Sequence, residues 1–155
     1  NNVFHVIKFY INFNQLIYFE NSSVITGYEF ETSLASNNLK EFPPFFYKNK
    51  IIMKSIDLSQ NNIEILNNID NNDTHYDQSI RLFYFILKKN NLKIIEQNSI
   101  LTRYKFLTHL DLSENKIEDL ENILIDTFRL EYLNLSHNNI SIIRKDFLSS
   151  SNTLK

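Results

Sequence analysis

Ser113, His137 and Asp111 are the residues of this 155-residue chain that come nearest to a nucleophile, a base and an orienting acid. Hydrolysis by such a set needs the serine on a strained elbow and the imidazole held in one orientation. The segments around them carry neither signature, so no catalytic residue is assigned. A single glycine, Gly27, cannot build a P-loop or a dinucleotide cradle. With no cysteine in the chain, disulfide frameworks, thiolate metal sites and cysteine nucleophiles drop out as well. What remains is recognition chemistry: tyrosines and histidines, with Tyr84, His109 and Tyr132 at related places in a repeating frame.

That frame appears when the chain is aligned on itself. Residues 53–63 (MKSIDLSQNNI), 82–92 (LFYFILKKNNL), 107–117 (LTHLDLSENKI) and 130–140 (LEYLNLSHNNI) align without gaps. Positions 1, 4, 6 and 11 are apolar in all four, and position 14 extends the match with Leu66, Ile95, Leu120 and Ile143. At 43% apolar composition, agreement at every such place arises by chance on the order of once in ten million trials. Position 9 is asparagine throughout: Asn61, Asn90, Asn115 and Asn138. Leu154 falls where a further copy would open.

Alternation across positions 3 to 6 is strand periodicity. Ile56 and Leu58, Phe85 and Leu87, Leu110 and Leu112, and Leu133 and Leu135 are therefore expected to point inward. The chain must then turn, leaving backbone groups inside that need partners. An asparagine amide donates and accepts, so the position-9 column is expected to form a structural ladder serving its own coil and the next. After position 11, residues 122–128 and 144–148 are expected to form short helices or 3-10 turns. The polar excess at 67–78 is expected to be a loop.

The pattern LxxLxLxxNxL resembles the leucine-rich repeat, over about two-thirds of the chain. That resemblance implies an α/β-class solenoid, with a curved parallel sheet on the concave face and an irregular, 3-10 or short helical convex side. Residues 34–43 (LASNNLKEFP) further resemble the capping segment that precedes the first repeat in Toll-like receptors, with Leu39, Phe42 and Pro43 at the matching spacing. Leu34 stands where that family carries a disulfide-bonded cysteine. The expected organisation is a poorly defined segment at 1–28, a degenerate cap-like repeat at 29–52, and four repeats plus the start of a fifth at 53–155. The apolar run at 3–19 carries His5, Lys8, Asn12, Asn14 and Gln15, against both a membrane span and an intact signal sequence. A β-prone segment, a damaged signal or translated non-coding sequence are the readings for it.

On the concave face the outward residues are Ser55, Tyr84, His109 and Tyr132 at position 3, and Asp57, Ile86, Asp111 and Asn134 at position 5. These eight are the expected binding residues; the alternative is an ordinary solvated sheet face. His109 and His137 occupy positions 3 and 8 of adjacent strands, too far apart to share a metal at about 3.3 Å per residue. Asp57 and Asp111 are separated by the strand of Ile86. No metal or cofactor is expected.

The net charge of −2, with no basic stripe, argues against nucleic acid, and no insertion of the repeats into a membrane is expected. The expected function is binding of a protein partner, as part of a receptor or adhesion ectodomain at the cell surface. The alternatives are a cytoplasmic scaffold or regulatory protein, and a truncated gene product. Sequons at Asn21, Asn72, Asn134 and Asn139 are about as many as this composition yields by chance. An open strand edge after the last repeat suggests that the natural protein continues past Lys155.

Overall fold

The computed structural model describes residues 6–16, 29–43, 46, 52–67, 81–96, 99–120, 129–143 and 147. The expected helical returns at 122–128 and 144–148 lie outside these residues apart from Phe147, which stands in a turn. The loop at 67–78 does so apart from Asn67.

Eight strands are described: β1 (Val6–Tyr10), β2 (Glu29–Ser33), β3 (Ile52–Asp57), β4 (Ile65–Leu66), β5 (Tyr84–Ile86), β6 (Ile94–Ile95), β7 (His109–Asp111) and β8 (Tyr132–Asn134). Six of them form one sheet in the order β1-β2-β3-β5-β7-β8, and every pairing is parallel. Parallel neighbours need a full crossover between them, and a repeat of 23 to 29 residues supplies one per strand. Frame positions pair with themselves, so that Ser55, Tyr84, His109 and Tyr132 follow one another across β3, β5, β7 and β8. The chain forms a parallel β-solenoid with little helix among the described residues; a 3-10 turn at Ile100–Arg103 is one returning segment. A second ladder pairs β4 with β6, burying Leu66 and Ile95 while Ile65 and Ile94 face out.

Inside the coils the apolar frame makes a single core. Met53, Ile56, Leu58, Ile63 and Leu66 are buried, as are Leu82, Phe85, Leu87 and Leu92, and then Leu107, Leu110, Leu112 and Ile117. Aromatic rings run through it: Phe42 meets Phe46 at 5.7 Å and Phe85 at 5.6 Å, and Phe85 meets Tyr104 edge-on at 5.7 Å. The last described coil is less covered. Leu130 is buried, Leu133, Leu135 and Ile140 are half-buried, and Ile143 is 69% exposed.

Each coil turns its corner at position 8 in the left-handed region, with φ between 54° and 56° at Ser36, Gln60, Lys89, Glu114 and His137. None is glycine, and each carries a conformational cost of about 1–2 kcal/mol. Backbone bonding to neighbouring coils offsets it. Position 8 donates to the following coil, as Lys89 N–H does to Ser113 O at 3.0 Å, and position 10 donates to the preceding one, as Asn91 N–H does to Ile63 O at 3.0 Å.

The asparagine column completes that account. Asn90 Nδ2 donates to Leu87 O of its own coil at 3.0 Å and to Leu58 O of the preceding coil at 2.9 Å, while Oδ1 accepts from Ile63 N at 3.0 Å. Asn61, Asn115 and Asn138 repeat the same three bonds with their own neighbours. The second coil served is thus the one before, not the one after, because the amide sits at the end of the corner, where the preceding coil's position-6 carbonyl and position-11 N–H converge. Asn37 makes the same set with Leu34, Ile11 and Leu16.

Two features lie beyond the gapless frame. Between β2 and β3 the register shifts at Phe30/Glu31, so that Phe30 pairs with Met53 and is buried. Glu29 stands at frame position 1, and one residue of bulge brings Phe30 there instead. Ahead of it, β1 pairs with β2 at an offset of 23 residues, and Phe13 turns the corner with φ 58°. Residues 6–16 (VIKFYINFNQL) contain the whole motif, in Val6, Phe9, Ile11, Asn14 and Leu16.

Candidate functional site: the exposed sheet face

The side chains left over by the inward alternation stand in rows across the sheet. At position 3, the rings of Tyr84 and His109 stack at 4.5 Å and 28°, and those of His109 and Tyr132 at 5.7 Å and 24°. Strands spaced about 4.8 Å apart place successive rings at that separation without strain. Tyr84 and Tyr132 remain 41% and 46% exposed, so the row is presented rather than covered. Ser55, the first of the expected row, is half-buried beside Tyr84.

Thr108 fixes the middle ring. Its Oγ1 lies 2.9 Å from His109 Nδ1 and 3.0 Å from the Phe83 carbonyl. The hydroxyl donates to that carbonyl, which also accepts the backbone N–H groups of Thr108 at 3.0 Å and His109 at 2.9 Å. Tyr84, His109 and Tyr132 thus form a row of stacked polar rings on an apolar footing.

Position 5 behaves differently. Asp57 Oδ1 accepts from Ser59 N at 2.9 Å, Asp111 Oδ1 from Ser113 N at 2.9 Å and Asn134 Oδ1 from Ser136 N at 3.1 Å. These are Asx turns that shape the corner, so three of the expected binding residues already spend one oxygen on their own backbone. Ile86, half-buried between Asp57 and Asp111, breaks the series. The Ser113 side chain is buried at 2% exposure, with His137 exposed on the corner. Beyond the Asx-turn bond from Ser113 N–H to Asp111, no described hydrogen bond joins Ser113, His137 and Asp111, and the Ser113 hydroxyl has no partner among the described residues. Among the described residues no group of three or more His, Cys, Asp or Glu is placed to hold a metal.

Neighbouring rows add what the eight expected residues omit. Lys54, Phe83, Tyr84, Thr108, His109 and Glu131 line an open pocket of about 330 Å³. Toward β1, Glu31 pairs with Lys8 at 3.0 Å and with Lys54 at 3.4 Å. The hydrogen bond from Lys8 holds the Glu31 carboxyl below the usual range, and the same bond raises Lys8. Toward the corners, a hydrogen bond from Lys88 at 3.1 Å lowers Glu114, with Lys89 at 3.7 Å. Just ahead of the inward leucines, Phe106 lies between two guanidiniums, Arg81 at 5.8 Å and Arg129 at 4.9 Å from its ring centre. Residues 81, 106 and 129 each precede frame position 1, a column that the repeat alignment already contained.

Among the described residues no helix is long and apolar enough to cross a membrane. Comparison with curated proteins returned no match. Two protein-family models do match, one described as Leucine Rich Repeat over residues 129–151 and one as Leucine Rich repeat over residues 105–120. Falling on two coils of the solenoid, they identify the repeating unit as the leucine-rich repeat, which generally mediates protein–protein interaction and is typically non-enzymatic.

Proposed function

We propose that the chain binds a protein partner through its exposed sheet face, centred on Tyr84, His109 and Tyr132. The observation that carries this is the stacked, exposed ring row beside the open pocket. Tyrosine supplies large contact area with a polar tip and few rotamers to freeze, which is why it is enriched at interface hot spots. Solenoids present such rows on an extended surface whose residues the core does not constrain. The test places a photo-crosslinking residue at position 109 to trap and identify the partner, then measures its affinity for Tyr84→Ala and Tyr132→Ala. Each is expected to weaken binding by about 1–2 kcal/mol. Unchanged affinity with an intact fold would move the site off this face.

For the setting, we infer a receptor or adhesion ectodomain at the cell surface, resembling Toll-like receptors. The spacing of Leu39, Phe42 and Pro43 supports it. The second reading, a cytoplasmic scaffold or regulatory protein, draws on the absence of cysteine from the 155 residues. It also draws on Leu34, fully buried where a capping cysteine would stand. Treating the protein from its native source with an N-glycosidase separates them: a mass decrease places it in the secretory pathway, and an unmodified Asn139, which is exposed, favours the cytoplasm.

A further inference from the structure

The entry edge of the sheet carries charge that the described residues leave without an ion pair. Arg81 and Arg129 are exposed, both are held over Phe106, and neither has an ion-pair partner among the described residues. A guanidinium held over a ring by cation–π attraction keeps its N–H fork for an acceptor, and the fork matches a carboxylate. Bringing two such groups to one ring sets like charges near each other, which an anion relieves. Strand rise puts this column about 7 Å ahead of the row of Phe83, Thr108 and Glu131. The pocket at Phe83, Tyr84 and His109 and the stacked ring row follow directly.

We propose that the partner enters this face as an acidic peptide segment, its carboxylates on Arg81 and Arg129 and an apolar side chain in the pocket at Phe83 and His109. The proposal rests on the reading that the exposed sheet face is the binding surface, and it names the chemistry that this surface takes. Charge complementarity chooses the occupant. Arg81 and Arg129, with no ion-pair partner among the described residues, lie at the edge, the Tyr84 and Tyr132 hydroxyls can donate to carbonyl and carboxylate oxygens, and Lys54 lines the pocket while shared with Glu31. The opposing group is Glu131, the one acid in the pocket lining. It directs the carboxylates toward the Arg81 side and sets up a test by sign.

The experiment is a display selection of random linear peptides on the full 155-residue chain, followed by anisotropy measurements with the selected peptides. The expected result is a consensus of Asp or Glu flanking an apolar or aromatic residue. Arg81→Glu combined with Arg129→Glu is expected to weaken binding roughly tenfold or more, and Glu131→Gln to tighten it about twofold. Raising salt is expected to weaken it as well. Circular dichroism and a thermal melt establish that the variants are folded, and Arg81→Lys with Arg129→Lys, which keeps charge but not the fork, is expected to fall in between. A basic or neutral consensus, no enrichment at all, or indifference to the charge reversals overturns the acidic-segment proposal. If such peptides still lose affinity in Tyr84→Ala and Tyr132→Ala, the sheet-face reading survives; if neither pair of changes matters, both fall.

Discussion

The two halves of the exposed sheet face share one backbone register and differ in what they display. Across β1 to β3 the outward side chains form an ion-paired chain, Lys8 to Glu31 to Lys54, with Ser55 beside it. Across β5 to β8 the same frame position carries stacked rings. The inward positions are nearly uniform over both halves, because every coil must fill the same slot and satisfy the same corner. The outward position-3 side chains answer to no such demand, so charge can be neutralised internally on one half while an exposed aromatic row stands on the other. An ion-pair chain already satisfied within the sheet has little left to offer a partner; a partly exposed ring row has much. That contrast points the binding reading at β5 to β8.

The joint between the halves is where disruption costs most. Phe85 touches Phe42 on one side and Tyr104 on the other, and Phe85→Ala is expected to destabilise by about 3–5 kcal/mol in chemical denaturation. A loss below about 1 kcal/mol would mean that the halves are not joined through this ring. Asn90→Ala strands the Ile63 N–H and takes one of two bonds from each of the Leu58 and Leu87 carbonyls, which keep those from Asn61 and Asn115, for an expected loss of about 1–3 kcal/mol. Asn138 makes the same bonds half-buried, so Asn138→Ala is expected to cost less. Equal losses would show that burial does not set the ladder's worth.

Within the ring row, a double-mutant cycle of Tyr84→Ala and His109→Ala is expected to return a coupling of about 0.5–1.5 kcal/mol. Zero coupling would reduce the stack to mere adjacency. The smallest effect is expected on the other half. Glu31 is lowered by its bond from Lys8, so the stability that it adds is complete above the unfolded-state carboxylate pKa and is lost as pH falls through the lowered folded value. Lys8 is raised above 10.5; its share is present below that value and disappears as pH rises through the folded pKa. Both charges are exposed and screened by salt. Glu31→Gln is therefore expected to shift the melting temperature less than the stack variants, with the difference vanishing at high salt.

From residue 53 onward the solenoid was legible because a period of 23 to 29 residues repeats the same five apolar slots and one amide. The motif at 6–16 was equally present in the letters, yet the segment reads as a poorly defined apolar run unless the frame is carried back past residue 29. The degenerate unit between hides that continuity: Glu29 and Thr32 stand at positions 1 and 4, and only the bulge that swings Phe30 inward restores the slot. A gapless comparison has no place for such a bulge, which exists only in the pairing of β2 with β3. Leu39 and Phe42, singled out for their cap-like spacing, fill positions 11 and 14 as Ile63 and Leu66 do. At the candidate site the rows followed from the frame. The commitment of Asp57, Asp111 and Asn134 to their corners did not, because an Asx turn is a local geometry that the letters permit without requiring.

By itself the sequence determined which residues face in, which corner needs an amide, and therefore that parallel coils stack in register; a period-two strand and an unpaired corner admit few other solutions. Tertiary structure alone decided how outward neighbours some 23 to 25 residues apart use one another: Lys8 and Lys54 on Glu31, Tyr84 and Tyr132 on His109, two arginines on Phe106. Those contacts depend on a strand spacing near 4.8 Å that exists only once the coils are stacked. Any chemistry on this face is a property of that stacking, not of any one repeat.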